Sequence, residues 1–171
     1  MNKQTEFELA ILDGGLNLIG KGPFTILKTY FPSGQLKSET SYQEKHLHGK
    51  VSFYAEDGQL LSESWFWQGK QAGKASLFYP NGAVYASLFY RDGKKEGVQE
   101  YFYDQGQIKT KEEFKDGKLN GASILYWPNG QIKRKASFLG GLRHGIDQLF
   151  NEKGELLNKT QYAHGKCIKS T

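Results

Sequence analysis

Four histidines and one cysteine are the side chains of this sequence best suited to hold a metal ion. His46 and His48 have the His-x-His spacing of a ligand pair, and Cys167 follows His164 by three residues. His48 and His144, however, both stand directly before a glycine that recurs along the chain. A polar residue that fills a turn explains this placement better than a metal centre does. We therefore predict no metal site and no cofactor.

Signatures of catalysis are missing from the sequence. It contains no Gly-x-Ser-x-Gly, no phosphate-binding loop and no His-Glu-x-x-His segment. Its carboxylates recur in step with turns, which is typical of turn chemistry. An enzyme needs acid, base or nucleophile groups that converge in a concave site. We therefore predict no catalytic residues and a protein that is not an enzyme.

The composition is rich in glycine and aromatic residues. Among 171 residues there are 21 glycines, and 14% of residues are aromatic although only 37% are hydrophobic. This balance favours many short strands joined by tight turns over a helical bundle. The single cysteine cannot form an internal disulfide, no apolar run has membrane-spanning length, and the N-terminal segment is a poor secretory signal. We therefore expect a cytoplasmic protein.

The net charge of +5 would suit an anionic partner. Lysine far outnumbers arginine, however, and lysines also serve to protect exposed sheet edges from pairing with other chains. Net charge alone says little about a specific partner. We expect no nucleic-acid partner, and membrane contact stays open as the less favoured alternative.

A 24-residue period runs through most of the chain. It is marked by a glycine that we call the turn glycine, with an aromatic residue four positions before it and another eight positions after it. A second-turn glycine, such as Gly93, and a junction glycine, such as Gly97, keep the same step. The turn glycines are Gly34, Gly58, Gly82, Gly106, Gly130 and Gly154, and the aromatics after them are Tyr42, Phe66, Tyr90, Phe114, Phe138 and Tyr162.

Each period has the sequence of one β-hairpin. The segment 80–82, Pro-Asn-Gly, places proline and glycine where a type I turn followed by a left-handed bulge residue requires them. Directly opposed residues share a face of the sheet. The aromatics therefore stack as ladders on one face, which we call the ladder face and predict to be the core. In the third repeat this face carries Phe78, Val84, Ala86, Leu88 and Tyr90.

These patterns predict an all-β fold, namely an elongated, twisted, single-layer antiparallel β-meander. It consists of six 24-residue β-hairpin repeats over residues 28–166. Residues 1–27 lie off the period, and we expect them to form a degenerate hairpin that caps the first edge, as repeat arrays need. The tail, residues 167–171, stops inside a seventh unit and is expected to fray.

The repeat resembles the MORN repeat in its bacterial variant form. The resemblance lies in the run Tyr-x-Pro-Asn-Gly-Gln-Ile-Lys at residues 126–133 and in the junction Asp-Gly-Lys-x-x-Gly at residues 116–121, and it covers residues 28 to 166. It implies a scaffold, a lipid-contacting platform or a protein-binding module. Small bacterial proteins made of these repeats alone resemble the YwqK-type antitoxin/immunity family, which implies immunity against secreted toxins in bacterial competition. Lys45 departs from the pattern at the first junction, and Gly140-Gly141 replaces Asp-Gly.

In a repeat protein, function is expected where copies differ from their consensus. The second face, at odd positions after the turn glycine, is mostly polar, but repeats two and three carry aromatic residues there. Aromatic residues inside a charged rim are typical of a binding hot spot. The predicted partner-binding residues are Leu61, Glu63, Trp65, Trp67, Leu77, Tyr79, Tyr85, Phe89 and Arg91.

Three explanations of this patch remain open. It binds a partner, it is covered by the N-terminal segment through Phe7, Leu9 and Ile11, or it forms a homodimer. Our first hypothesis is an immunity protein (antitoxin) that binds and neutralises a cognate secreted bacterial toxin or effector by protein–protein interaction. The alternative is a peripheral scaffold, an anionic-lipid-binding MORN repeat module that uses its lysine-rich face.

Overall fold

The structure is a computed structural model and describes residues 24–170. Within that part of the chain no helix is long and apolar enough to cross a membrane. The described residues form β-strands joined by turns. The strands are β1 (Phe24–Tyr30), β2 (Leu36–Gln43), β3 (His46–Tyr54), β4 (Leu60–Trp67), β5 (Lys70–Phe78), β6 (Val84–Arg91), β7 (Lys94–Lys95), β8 (Gly97–Phe102), β9 (Ile108–Lys115), β10 (Lys118–Tyr126), β11 (Ile132–Leu139), β12 (Leu142–Arg143), β13 (Gly145–Phe150), β14 (Leu156–Ala163) and β15 (Lys166–Ser170).

The strands pair with their neighbours in the chain. Their hydrogen-bonding order follows the sequence, except that the two-residue strands β7 and β12 pair beside β6 and β11. Pairing is antiparallel, as in β3 with β4 and β10 with β11. The predicted all-β antiparallel meander of hairpins is therefore confirmed.

The chain divides into two compact units, which we describe separately. The first unit runs to Val84 and includes Phe89–Lys94, and the second unit contains Tyr85–Leu88 and the chain from Lys95 onward. The first unit therefore holds β1 to β5, and the second holds β8 to β15.

The hairpin turns have the geometry that their sequence predicts. In the third repeat the amide of Tyr79 donates to the carbonyl of Ala83 at 2.8 Å, and the amide of Gly82 donates to the carbonyl of Tyr79 at 2.9 Å. Gly82 has a φ of +84°, a left-handed conformation that glycine adopts without steric cost. The first residues that oppose each other across the two strands beyond such a turn are also those predicted, for example Tyr126 and Ile132.

Burial on the ladder face centres on small residues rather than on the aromatic ladders. Val51 and Ala75 are buried in the first unit, and Ser123 and Ala136 in the second. The aromatics that follow the turn glycines lie near the strand ends and are half-buried, because a single sheet layer leaves one side of each ring open to solvent. The middle of the strands is thus buried on this face, but the opposite face is buried too, at Ser52 and His48.

Both ends of the described chain differ from the sequence prediction. β1 begins at Phe24, inside the predicted cap, and the expected covering residues Phe7, Leu9 and Ile11 lie outside the described residues. At the other end a frayed tail was predicted from residue 167, but β15 pairs with β14 and Cys167 opposes Tyr162. The chain continues far enough to complete the hairpin, and main-chain hydrogen bonds hold this strand.

Candidate functional site

Trp65 and Trp67 lie on one face of β4. Side chains alternate along a strand, so both indoles lie on the same side of β4 as Glu63. Trp65 opposes Lys50 on β3, and Trp67 opposes Lys70 on β5. Both tryptophans are half-buried. The first unit therefore presents two large apolar side chains, each beside a lysine.

His48 packs against Trp67. The two ring centroids are 4.3 Å apart, and the ring of Phe24 meets the imidazole edge-on at 5.3 Å. His48 is 2% exposed, and its Nε2 atom has no hydrogen-bond partner. Burial lowers the pKa of this imidazole below its ordinary value of 6.5. The sequence predicted a turn residue here, but His48 is a buried residue within strand β3.

A row of polar side chains runs beside the tryptophans. Ser52 on β3 is flanked by Glu39 on β2 and Glu63 on β4, its partners across the two strand pairs. Each glutamate forms an ion pair with a lysine of a neighbouring strand, Glu39 with Lys28 on β1 at 2.9 Å and Glu63 with Lys50 on β3 at 3.2 Å. The hydrogen bond to Glu39 raises the pKa of Lys28. The acidic groups of this row are therefore partly neutralised.

Leu77 does not join the tryptophans. It opposes Ser62 on β4, whereas Glu63 opposes Ser76, so Leu77 lies on the ladder face. The reason is a register shift in the hairpins: Tyr54 opposes Leu60, but Phe53, the residue before it on β3, opposes Ser62 and not Leu61. Such a bulge shifts the pairing of the second strand by one residue, and a one-residue shift moves each side chain to the other face of the sheet. The prediction for Leu77 was wrong for this reason.

The remaining predicted residues are spread over several environments. Leu61 is exposed at the bulge of β4, and the carbonyl of Tyr79 accepts a hydrogen bond from Gln59 Nε2 at 2.6 Å. The exposed ring of Tyr85 meets Tyr101 edge-on at 6.2 Å, within the second unit. Phe89 and Arg91 lie on the part of β6 that belongs to the first unit. Phe89 is half-buried, and Arg91 is exposed.

The structure thus brings a smaller set together than the sequence predicted. Glu63, Trp65 and Trp67 share one face of β4. On β3, Lys50 pairs with Glu63 and opposes Trp65, and His48 packs against Trp67. We call these five residues the tryptophan surface. The hidden member, His48, was missed as part of the site because its position before a junction glycine resembles a turn.

The second unit presents a different surface, which we call the lysine row. It consists of three lysines on alternate strands, Lys111 on β9, Lys135 on β11 and Lys159 on β14. Ile124 on β10 directly opposes both Lys111 and Lys135. Gln148 on β13 directly opposes both Lys135 and Lys159. Alternate strands lie about 9.6 Å apart. Lys111 forms a 2.8 Å ion pair with Glu100, which raises the pKa of the lysine.

The other histidines have a structural explanation. The side chain of Glu96 accepts a hydrogen bond from the amide of Asp116 at 2.9 Å. One repeat later, the side-chain oxygen of Asn120 accepts a hydrogen bond from the amide of Gly140 at 3.0 Å. His144 is the next residue in this series, and its ring lies 5.0 Å from that of His164. Among residues 24–170 there is no group of three or more potential metal ligands. The histidine positions thus follow the contacts between successive turns.

An ion-pair network around the buried carboxylate of Asp147, on the ladder face, was not visible in the sequence. Asp147 accepts two hydrogen bonds from Arg134, from Nε at 2.8 Å and from Nη2 at 2.6 Å. Arg143 lies 3.3 Å from the same carboxylate and also donates to the hydroxyl of Tyr162 at 3.2 Å. Asp147 raises the pKa of Arg134. This cluster ties β11, β13 and β14 together and is satisfied internally.

Four segments of the chain match the family model described as the MORN repeat variant. They are residues 26–44, 47–68, 95–116 and 119–139. No curated protein matches the chain. The matched segments correspond to hairpins β1–β2, β3–β4, β8–β9 and β10–β11. Segment 69–94, which lies between the matches, and segment 140–166, which follows them, also form strands but have no match.

Proposed function

We propose that this chain, a MORN-variant repeat protein, is a non-catalytic binding module that docks a partner protein on its tryptophan surface. The observation that carries the proposal is the placement of Trp65 and Trp67 side by side on β4. The first and fifth repeats have Ser41 and Ser137 in place of Trp65. The tryptophans are therefore additions to a repeat that forms its hairpin without them.

Binding at this surface would combine apolar burial with a charged rim. Tryptophan is enriched among the residues that dominate interface energies, because it buries a large area with few rotatable bonds. Lys50 and Glu63 lie at the edge of the indoles and pair with each other at 3.2 Å. Exposed rim charges of this kind mainly set the association rate and the choice of partner.

We propose further that the partner is a cognate secreted bacterial toxin or effector, and that the chain acts in the cytoplasm as an immunity protein. This finer assignment is supported by the resemblance of the repeat run at residues 126–133 to the variant repeats of bacterial antitoxins. Covering the toxin's active site would neutralise it without any chemistry on the part of this chain.

Co-expression tests this function. The toxin encoded by the neighbouring reading frame is produced in a bacterial host together with the unchanged chain, with Trp65→Ala/Trp67→Ala, or with Trp127→Ala. We expect survival with the unchanged chain and with Trp127→Ala, whose indole lies in the second unit. We expect cell death with the double variant, although circular dichroism shows it folded. Equal survival with all three chains would show that the tryptophan surface is not the binding site.

A second candidate function is contact with anionic lipid through the lysine row. Its specific support is the alignment of Lys111, Lys135 and Lys159 on alternate strands of the second unit. Each lysine near an anionic membrane contributes about 1 kcal/mol. Sedimentation with phosphatidylserine vesicles should be salt-sensitive and should be lost in Lys135→Glu/Lys159→Glu. The control Lys118→Glu/Lys153→Glu also reverses two charges, at exposed residues outside the lysine row. Equal sedimentation of both variants would contradict this candidate.

A further inference from the structure

The packing of His48 makes Trp67 dependent on an uncharged imidazole. The imidazole is 2% exposed and lies between the rings of Trp67 and Phe24. Its Nε2 atom is buried and has no hydrogen-bond partner. A buried polar atom without a partner is tolerated in the neutral ring, but a proton on that atom would place an uncompensated charge among aromatic side chains.

The strand that carries His48 offers no carboxylate to stabilise such a charge. Along β3 the neighbours on the same side of the strand are Lys50, which is cationic, and His46, which is exposed. On β5, Lys70 opposes Trp67 and lies 4.0 Å from Asp92. The two lysines would repel a charged imidazole, and the carboxylate of Asp92 already pairs with Lys70.

The flanking strands carry two carboxylates, and both belong to other ion pairs. Glu63 on β4 pairs with Lys50, and Glu39 on β2 pairs with Lys28 of β1. Phe24, the β1 residue that contacts the imidazole, is apolar. Within the described residues, protonation of His48 is therefore opposed by burial, and no ion pair to its ring and no hydrogen bond to its Nε2 atom offsets that cost.

We propose that His48 positions Trp67 and acts as a pH-sensitive latch on the tryptophan surface. Neutral His48 stays packed and supports the indole. Protonated His48 leaves this packed position, and Trp67 then becomes mobile and exposed. For partner binding the inference rests on the function proposed above, and it predicts weaker binding in mildly acidic solution.

The direction of the pH dependence follows from the lowered pKa of His48. When the ring is released to solvent its pKa returns to about 6.5, so the released state binds the proton more tightly than the packed state does. The packed state is thus fully favoured above about pH 6.5. It loses stability as the pH falls through the lowered value, so the latch opens on acidification.

Tryptophan fluorescence tests the latch without any partner. The chain has three tryptophans, so Trp65→Phe/Trp127→Phe leaves Trp67 as the single reporter. We titrate this parent from about pH 8 to about pH 4.5, across the ordinary histidine range. A reversible red shift of its emission is expected, with a midpoint below 6.5 and with unchanged far-ultraviolet circular dichroism. The shift should be absent when His48→Phe is added and retained when His46→Gln is added.

Two outcomes would overturn the latch. One is the same red shift in the His48→Phe variant, and the other is no shift in the parent across the range. If His48→Phe does not fold, His48→Gln serves instead, because it is polar but does not titrate. Toxin binding is then measured at both ends of the pH range. Binding that weakens together with the red shift supports the whole inference. Binding that ignores the shift would overturn the link to the partner while leaving the latch intact.

Discussion

Lys50 and Glu63 form an ion pair across β3 and β4, with 3.2 Å between the ammonium nitrogen and the carboxylate oxygen. The pair lies beside Trp65, which opposes Lys50 directly. Both charged side chains are more than a third exposed. The edge of the tryptophan surface therefore carries two hydrated charges of opposite sign, whereas the indoles supply its apolar area.

Removing this ion pair should change recognition more than stability. In Lys50→Ala/Glu63→Ala we expect the free energy of unfolding to change by less than about 1 kcal/mol, because exposed ion pairs contribute little. The association rate with the toxin should fall, and its dependence on salt should decrease. Urea denaturation and stopped-flow binding measure the two quantities. A large loss of stability with an unchanged association rate would be the opposite of this expectation.

Two buried serines should respond differently to loss of their hydroxyl groups. Ser38 shares a 2.6 Å hydrogen bond with Thr29, whereas the hydroxyl of Ser52 is buried without a partner. Ser38→Ala should therefore cost about 1 kcal/mol, and Ser52→Ala should be neutral or stabilising. Urea denaturation of the two variants compares them directly. A greater loss in Ser52→Ala would mean that its hydroxyl does make a stabilising contact.

Asp147 should be important for the stability of the second unit. Asp147→Ala leaves Arg134 and Arg143 facing each other beside a buried site. Breaking a buried ion pair costs about 3–5 kcal/mol, but the two arginine side chains are 35% and 36% exposed. Solvent screening therefore reduces our expectation to about 1–3 kcal/mol in urea denaturation. Glu152→Ala, at an exposed turn, removes the same charge and should change stability by less than about 0.5 kcal/mol.

Gly121 and Gly97 occupy the same position in successive repeats but should not tolerate alanine equally. Both have positive φ, +128° for Gly121 and +67° for Gly97, so alanine is strained at either site. At Gly121 the added Cβ would also meet the side chain of Glu113, with its Cβ at 2.9 Å, whereas at Gly97 it meets nothing within 4 Å. The amide of Ala122 holds that glutamate in place by donating to Oε2 at 3.2 Å. Thermal unfolding should therefore show the larger loss for Gly121→Ala, and equal losses would contradict the steric explanation.

The sequence was sufficient to predict the hairpins, because their information is local. Turn residues such as Gly82 require particular backbone angles, and those angles define the hairpin and its first pair. The placement of Leu77 could not be predicted in the same way. It depends on one extra residue in each hairpin, and that shift arises from pairing between strands rather than from residue type.

The candidate site was predictable only in part. Trp65 and Trp67 stand out because they replace polar residues of the repeat, and the structure places them together on β4. His48 and Asp147 could not be assigned from the sequence, because the partner of each lies on another strand. The contact of His48 with Trp67 and that of Asp147 with Arg134 exist only after the strands have paired.

The central proposal is tested by the affinity of the purified chain for the purified product of the neighbouring reading frame, which is the proposed toxin partner. Isothermal titration would compare the unchanged chain with Trp65→Ala/Trp67→Ala and with Trp127→Ala. We predict at least about 30-fold weaker binding for the double variant, because hot-spot residues contribute about 2 kcal/mol or more. For Trp127→Ala we predict an affinity within about threefold of the unchanged chain, because Trp127 is not part of the tryptophan surface and residues outside a hot spot contribute little to affinity. A folded double variant that binds the toxin as tightly as the unchanged chain would contradict the account.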